Sequence, residues 1–171
     1  ARTLDRIRER LGAELHSLWF NAQCERTNTI LGSTFEHWCG PPAVVERFGG
    51  AAVHYPPGAF GQNNLEIASR IVDHVRELVP QGASVAEFYA GVGAIGLSLL
   101  ERVARIRLNE VAPASLHGLA LGLQALSAAD RAKIEVIAGP AGANAGAAAG
   151  VDVVIVDPPR KGLDAELATR L

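Results

Sequence analysis

The sequence contains no methionine and only two cysteines, Cys24 and Cys39. Two cysteines at these positions cannot supply a disulfide framework, nor a four-cysteine metal or iron–sulfur site, and a reducing compartment suits them. Without methionine, Ala1 is not an initiator residue, and the chain is expected to be a piece of a longer protein. No apolar run reaches the ~20 residues that span a bilayer, and no charged, apolar and small-residue leader opens the chain. No membrane association is expected, and the expected location is the cytoplasm. A one-signed charge field is missing too: 16 Lys and Arg face 18 Asp and Glu, for a net charge of -2. That removes a global basic field as an argument for nucleic-acid binding and leaves only a local patch. What is present is 171 residues, 49% hydrophobic and 20% charged, with 18 glycines and 9 prolines. Such a chain buries one sizeable core, which excludes disorder throughout and leaves room for one loose segment.

Leu4, Ile7, Leu11 and Leu15 recur at three and four residues among alternating charges, predicting a short amphipathic helix near the start. Its arginines are diluted by Asp5, Glu9 and Glu14, so the plain reading is a solvated face. From about residue 15 to 55 the apolar pieces are short and broken by Asn, Gly and Pro, as in a small β module. Gly49-Gly50 is placed to turn a hairpin. After Pro56-Pro57-Gly58 the pattern changes. Leu65, Ala68, Ile71, Val72, Val75, Leu78 and Val79 share one face of a helix predicted over 64–79. Strands are predicted over 84–89, 105–110, 133–138 and 151–156. Helices are predicted over 94–103, from Pro113 onward, and from Leu163. The Ala/Gly-rich stretch 139–150 carries almost no apolar bulk and is expected to be a mobile loop. Helix and strand alternation of this kind predicts a mostly parallel sheet with helices on both faces, whose ligands bind beyond the carboxyl ends of the strands.

Those strand ends carry the candidate chemistry. Glu87-Phe88-Tyr89-Ala90-Gly91-Val92-Gly93 ends one strand in a turn where glycine lets a ligand approach the main chain and a following helix offers free N–H groups. Gly91, Gly93 and Gly96 also satisfy a dinucleotide-type spacing, but Glu87 beside them disfavours a pyrophosphate and suits a cationic ligand. Glu110 ends the next strand, where a carboxylate can accept hydrogen bonds from ribose hydroxyls. Asp157-Pro158-Pro159-Arg160 ends the last, with two prolines stiffening a wall beside a carboxylate.

Taken together, Phe60-x-Gln62-x-Asn64, the glycine turn, Glu110 and Asp157-Pro158-Pro159-Arg160-Lys161-Gly162-Leu163 resemble the S-adenosylmethionine-dependent RNA uracil-5-methyltransferases, over roughly residues 15–171. The resemblance implies a Rossmann-like α/β methyltransferase fold, truncated here and preceded by the β-rich module. It implies an RNA-contacting module over 1–60 and a partial cofactor domain over 61–171. It places Gln62, Tyr89, Gly91, Gly93, Glu110 and Asp157 around S-adenosylmethionine, with Phe60, Gln62, Asp157 and Arg160 towards the RNA. The expected substrate is a uridine in tRNA or rRNA, and no metal is expected. In the family a cysteine thiolate adds to uracil C6 so that C5 can take the methyl group, and a general base then removes the C5 proton.

The chain departs from that pattern at several points: an N-terminal β-barrel domain and a cysteine-rich cluster site found in some members are missing, and Ala94 stands where some members have a polar cofactor contact. The family's nucleophilic cysteine and base follow the Asp-Pro-Pro-Arg turn at a distance that places them beyond Leu171, so no catalytic residue is expected within these residues, and neither Cys24 nor Cys39 fits the role. After the third strand of the alternating part, where the family usually offers an acidic or amide side chain to adenine, Gly139-Pro140-Ala141 offers none. Three other readings stand beside this one: a methyltransferase for another nucleobase position, against which Arg160 counts; an RNA-binding or scaffold protein without catalysis; and a dinucleotide-dependent dehydrogenase.

Overall fold

The computed structural model describes residues 2–24, 26, 28 and 30–171; Ala1, and Glu25, Thr27 and Thr29 of the expected β module, lie outside the described residues. The chain divides into two compact units, 1–44 and 45–171.

In the first unit, α1 (Arg2–Leu11) runs into a 3-10 turn over Gly12–Glu14. Strands β1 (Leu18–Ala22) and β2 (Thr34–Cys39) then pair antiparallel. Trp19 stacks on His37 across the ribbon at 4.4 Å between ring centroids, and Phe20 meets Trp38 edge-on at 6.2 Å. Cross-strand aromatic pairs of this kind are what stabilise a two-stranded ribbon.

The second unit begins within β3 (Val44–Phe48), which pairs with β4 (Ala51–Tyr55) across Gly49-Gly50, whose φ angles of 51° and 87° only glycine adopts without strain. The structural division thus falls before the boundary expected after residue 60. The hairpin belongs with the alternating part because Phe48 and Val53 are buried against Ala68, Val72 and Val92. Asn64 caps α2 (Leu65–Leu78) by accepting from the Ile67 N–H. Ala68, Val72 and Val79 of its apolar face are buried as predicted. Leu65, Ile71 and Leu78 are not, because the hairpin and the next helix meet α2 along only one edge of that wide face. Arg76 fastens this layer by donating to the carbonyls of Gly49 and Ser98.

Strand β5 (Ala83–Phe88) is buried along its whole length and leads into α3 (Ala94–Ser98), shorter than expected because the chain turns at Leu99 towards β6 (Val103–Glu110). Helix α4 (Pro113–Gln124) and the short α5 (Ala128–Arg131) then precede β7 (Ile134–Ala138). A compact segment with a 3-10 turn at Ala145–Ala148 leads to β8 (Val153–Val156) and α6 (Ala165–Ala168). The four strands form a parallel sheet in the order β7-β6-β5-β8. Successive residues of β5 face opposite layers. Val85 packs with Leu97, Leu99, Ile106, Leu108 and Leu119 on one side, while Ala86 and Phe88 pack with Ala141, Ala145 and Leu167 on the other. Each fully buried large side chain contributes about 1.5–3 kcal/mol. Residues 139–150 are thus not the loose loop expected: alanines are small enough to lie flat on β5, and Ala141 and Ala145 are core residues.

Candidate cofactor site at the strand ends

The chain leaves β5 to build β6 and β7 on one side, then returns to place β8 on the other. Such a reversal splays the outgoing loops and opens a crevice at the carboxyl ends of the two strands beside it. The glycine turn after β5 and the Asp157-Pro158-Pro159-Arg160 turn after β8 flank it.

The turn after β5 is held by Glu110. Its Oε2 accepts from the Gly91 N–H at 2.7 Å, and its Oε1 accepts from Val111 and Ala112, each at 2.7 Å. A carboxylate has about four acceptor positions, so one remains for a ligand hydroxyl. Accepting from two ribose hydroxyls at once would require a main-chain donor to let go. Gly91 has φ 59° with open space where a Cβ would stand, leaving its main chain accessible. Gly93 has φ 86° and starts α3. Gly96 serves packing instead: a Cβ there would lie 2.4 Å from both Glu87 Oε2 and Leu108 Cδ2.

Glu87 is corrected in its turn. Strand parity points it inward beneath α3, where it is 3% exposed and its Oε2 has no hydrogen-bond partner. Burial first, then the charges of Asp157 and Glu110, push its carboxyl up to about 8, so at neutral pH it is protonated and exerts no field against a pyrophosphate. Of the other strand-end carboxylates, Asp157 is exposed after β8, and Glu110 is buried at 8% exposure with its oxygens turned to the main chain.

Tyr89 is the one described non-glycine residue with positive φ, at 60°. Its ring packs with the Phe88, Ala141 and Leu167 cluster, and its hydroxyl accepts from the Asp164 N–H at 3.1 Å. Asp164 in turn accepts from the Gly142 N–H, which with Lys161 holds its carboxyl below the usual range. Asn109, buried at 2% exposure, donates to the carbonyls of Ile137 and Gly139 at 2.9 and 3.0 Å. Sequence reasoning missed Asn109 and Asp164, since their partners are remote in the chain. Phe60, Gln62 and Arg160 are exposed, and no hydrogen bond among the described residues joins them to the strand-end cluster. Among the described residues no helix is long and apolar enough to cross a membrane, and no three His, Cys, Asp or Glu side chains are grouped to hold a metal ion.

No protein-family model matches the chain. It is 38% identical over 160 residues to an uncharacterized RNA methyltransferase of Protochlamydia amoebophila, covering 94% of this chain and 42% of that protein. It is 32% identical over 162 residues to one of Lactobacillus johnsonii, covering 88% and 34%. The chain thus spans less than half the length of the curated relatives it matches. Among solved structures it resembles the Pyrococcus abyssi tRNA (uracil-54, C5)-methyltransferase in complex with S-adenosyl-L-homocysteine, with TM-score 0.75 and 24% identity, covering 91% of this chain and 38% of that one. It also resembles the Methanocaldococcus jannaschii tRNA m1G37 methyltransferase, with TM-score 0.56 and 15% identity, covering 74% and 39%. The fold is the Rossmann-like α/β fold of methyltransferases.

Proposed function

We propose that this chain is the cofactor-binding part of an S-adenosylmethionine-dependent RNA methyltransferase whose parent protein methylates uridine at C5. The observation that carries the cofactor reading is the glycine turn clamped by Glu110 at the switch point between β5 and β8. The residues present fit this group. Gly91 has open space beside its main chain, Glu110 keeps an acceptor position for a ribose hydroxyl, and Asp157 offers negative charge at the end of β8. When bound, S-adenosylmethionine supplies an electrophilic methyl group on a positively charged sulfur. The chain's part is to orient and exclude. Glu110 fixes the turn and the ribose, Asp157 sits across the crevice from it, and the Pro158-Pro159 wall stiffens the approach of the base. Tyr89 closes one side of the pocket, Gln62 and Phe60 reach towards the uracil, and Arg160 towards RNA phosphate.

The C5 assignment rests on the joint occurrence of Phe60-x-Gln62-x-Asn64 with Asp157-Pro158-Pro159-Arg160-Lys161-Gly162-Leu163, and is supported by the likeness to the Pyrococcus abyssi enzyme. A methyltransferase for another nucleobase is the second reading, favoured by the weaker likeness to the m1G37 enzyme. The β1–β2 ribbon and its aromatics are proposed as an RNA contact, and the cytoplasm as the site of action. Nucleoside mass spectrometry on tRNA and rRNA from cells lacking the parent gene tests the assignment. Loss of 5-methyluridine from one RNA class is expected. Loss of 1-methylguanosine, or of no methylated nucleoside, contradicts the C5 assignment.

A further inference from the structure

The loop that leaves β7, Gly139-Pro140-Ala141-Gly142, borders the strand-end crevice yet has no side chain able to hydrogen-bond. Three side chains from other elements grip its main chain or the group that grips it. Asn109, at the end of β6, donates to the carbonyls of Ile137 and Gly139 and fixes where the loop begins. Asp164 accepts from the Gly142 N–H at 3.2 Å and fixes where it ends. Asp164 stands at the N-cap of α6, where an aspartate ordinarily accepts from the first-turn amides of its own helix. Here it makes no such bond; one oxygen goes to Gly142 and the other to Lys161 at 3.4 Å. Its own N–H donates to Tyr89, the residue held at positive φ beside the glycine turn. A side chain held off its local cap and a backbone held in a sparsely populated region both point to a constraint imposed from across the site.

We propose that Asn109, Asp164 and Tyr89 are positioning residues that hold loop 139–142 as a main-chain wall of the crevice and couple it to the loop carrying Asp157 and Arg160. The role of that wall towards the adenine end of S-adenosylmethionine rests on the cofactor reading above; the coupling of the loops does not. The loop's own main-chain groups are engaged inside the protein: the Gly139 N–H donates to the Glu110 carbonyl, the Gly139 carbonyl accepts from Asn109, and the Gly142 N–H donates to Asp164. A ligand meeting the wall therefore finds a surface already in place, and moving one loop moves the other.

Hydrogen exchange and titration on Tyr89→Phe, Asp164→Ala and Asp164→Asn separate the two claims. Tyr89→Phe keeps the ring and removes only the acceptor for the Asp164 N–H. It is expected to speed exchange severalfold over residues 157–167 and also over 139–149, which Tyr89 reaches through Asp164. Asp164→Ala should speed exchange over 139–149, and Asp164→Asn, which keeps one acceptor oxygen, should restore it towards the original rate. An effect of Tyr89→Phe confined to 157–167, or an unchanged 139–149 in Asp164→Ala, overturns the proposal. In the second arm, S-adenosylhomocysteine is expected to bind Tyr89→Phe and Asp164→Ala several times more weakly than the original chain, with recovery in Asp164→Asn. Equal affinity despite faster exchange overturns the positioning role. Coupled exchange in a chain that takes up no S-adenosylhomocysteine upholds the coupling and removes the cofactor reading.

Discussion

At the scale of single residues, Glu87 shows how parity along a strand decides chemistry. It stands two positions along β5 from Val85, on the same side of the sheet, and that position turns its carboxyl under α3 rather than into the crevice. Its folded value is about 8 against 4.5 for the free group, so the folded state holds the proton more tightly than the unfolded state. Between those values the native chain carries one more proton than the unfolded chain, and stability falls as pH rises, by up to about 1.4 kcal/mol per pH unit. The contribution is fully present below the unfolded value and is lost as pH rises through the folded one. Glu87→Gln keeps the shape without the charge. Urea unfolding from pH 5.5 to 8 should give a shallower decline in stability for Glu87→Gln than for the original chain; parallel declines would show that the buried carboxyl does not titrate as described. The sequence identified Glu87 as unusual, but its role depended on a direction that only the packed sheet defines. That Glu110 and Asp157 stand at strand ends was legible because the apolar runs before them are plain in the sequence, whereas the part of Asp164 was not, because nothing local distinguishes it from an ordinary helix cap.

Among the elements, those with strong periodicity were legible and those depending on close approach were not. Helix α2 and strands β5, β6, β7 and β8 fall within a residue or two of the predicted spans. Residues 139–150 misled because an absence of bulk predicts looseness, although alanine is what fits between Phe88 and Leu167. The hairpin β3–β4 misled in the same way. Its attachment to α4 depends on Gly118, where a Cβ would stand 2.3 Å from the His54 carbonyl oxygen and 2.7 Å from Val92 Cγ1. Gly118→Ala would raise helix propensity by about 1 kcal/mol. The clash is with main chain that cannot swing aside, and overpacking of this kind costs about 1–3 kcal/mol. The variant is therefore expected to lose about 1 kcal/mol of stability, with faster hydrogen exchange in β4. A gain in stability would show that the hairpin does not rest on α4 as closely as described.

For the whole molecule, the sheet order β7-β6-β5-β8 is the fact from which the proposed function follows, because it sets the glycine turn held by Glu110 and the Asp157 turn at the carboxyl ends of the neighbouring strands β5 and β8. The order was not legible residue by residue: alternation predicts a parallel sheet, but only the pairing of β5 with both β6 and β8 locates the switch point. The division of the chain at 44/45 was equally hidden, since four short strands look alike in sequence until Phe48 and Val53 are found buried with α2. The most direct test of the account is calorimetric titration of S-adenosylhomocysteine into this chain and into Glu110→Ala, with NADH in parallel. The account predicts saturable binding of S-adenosylhomocysteine alone, weakened by about 1–3 kcal/mol in Glu110→Ala through loss of a charged hydrogen-bond acceptor. No binding of S-adenosylhomocysteine to the folded chain, or binding of NADH in its place, would contradict it.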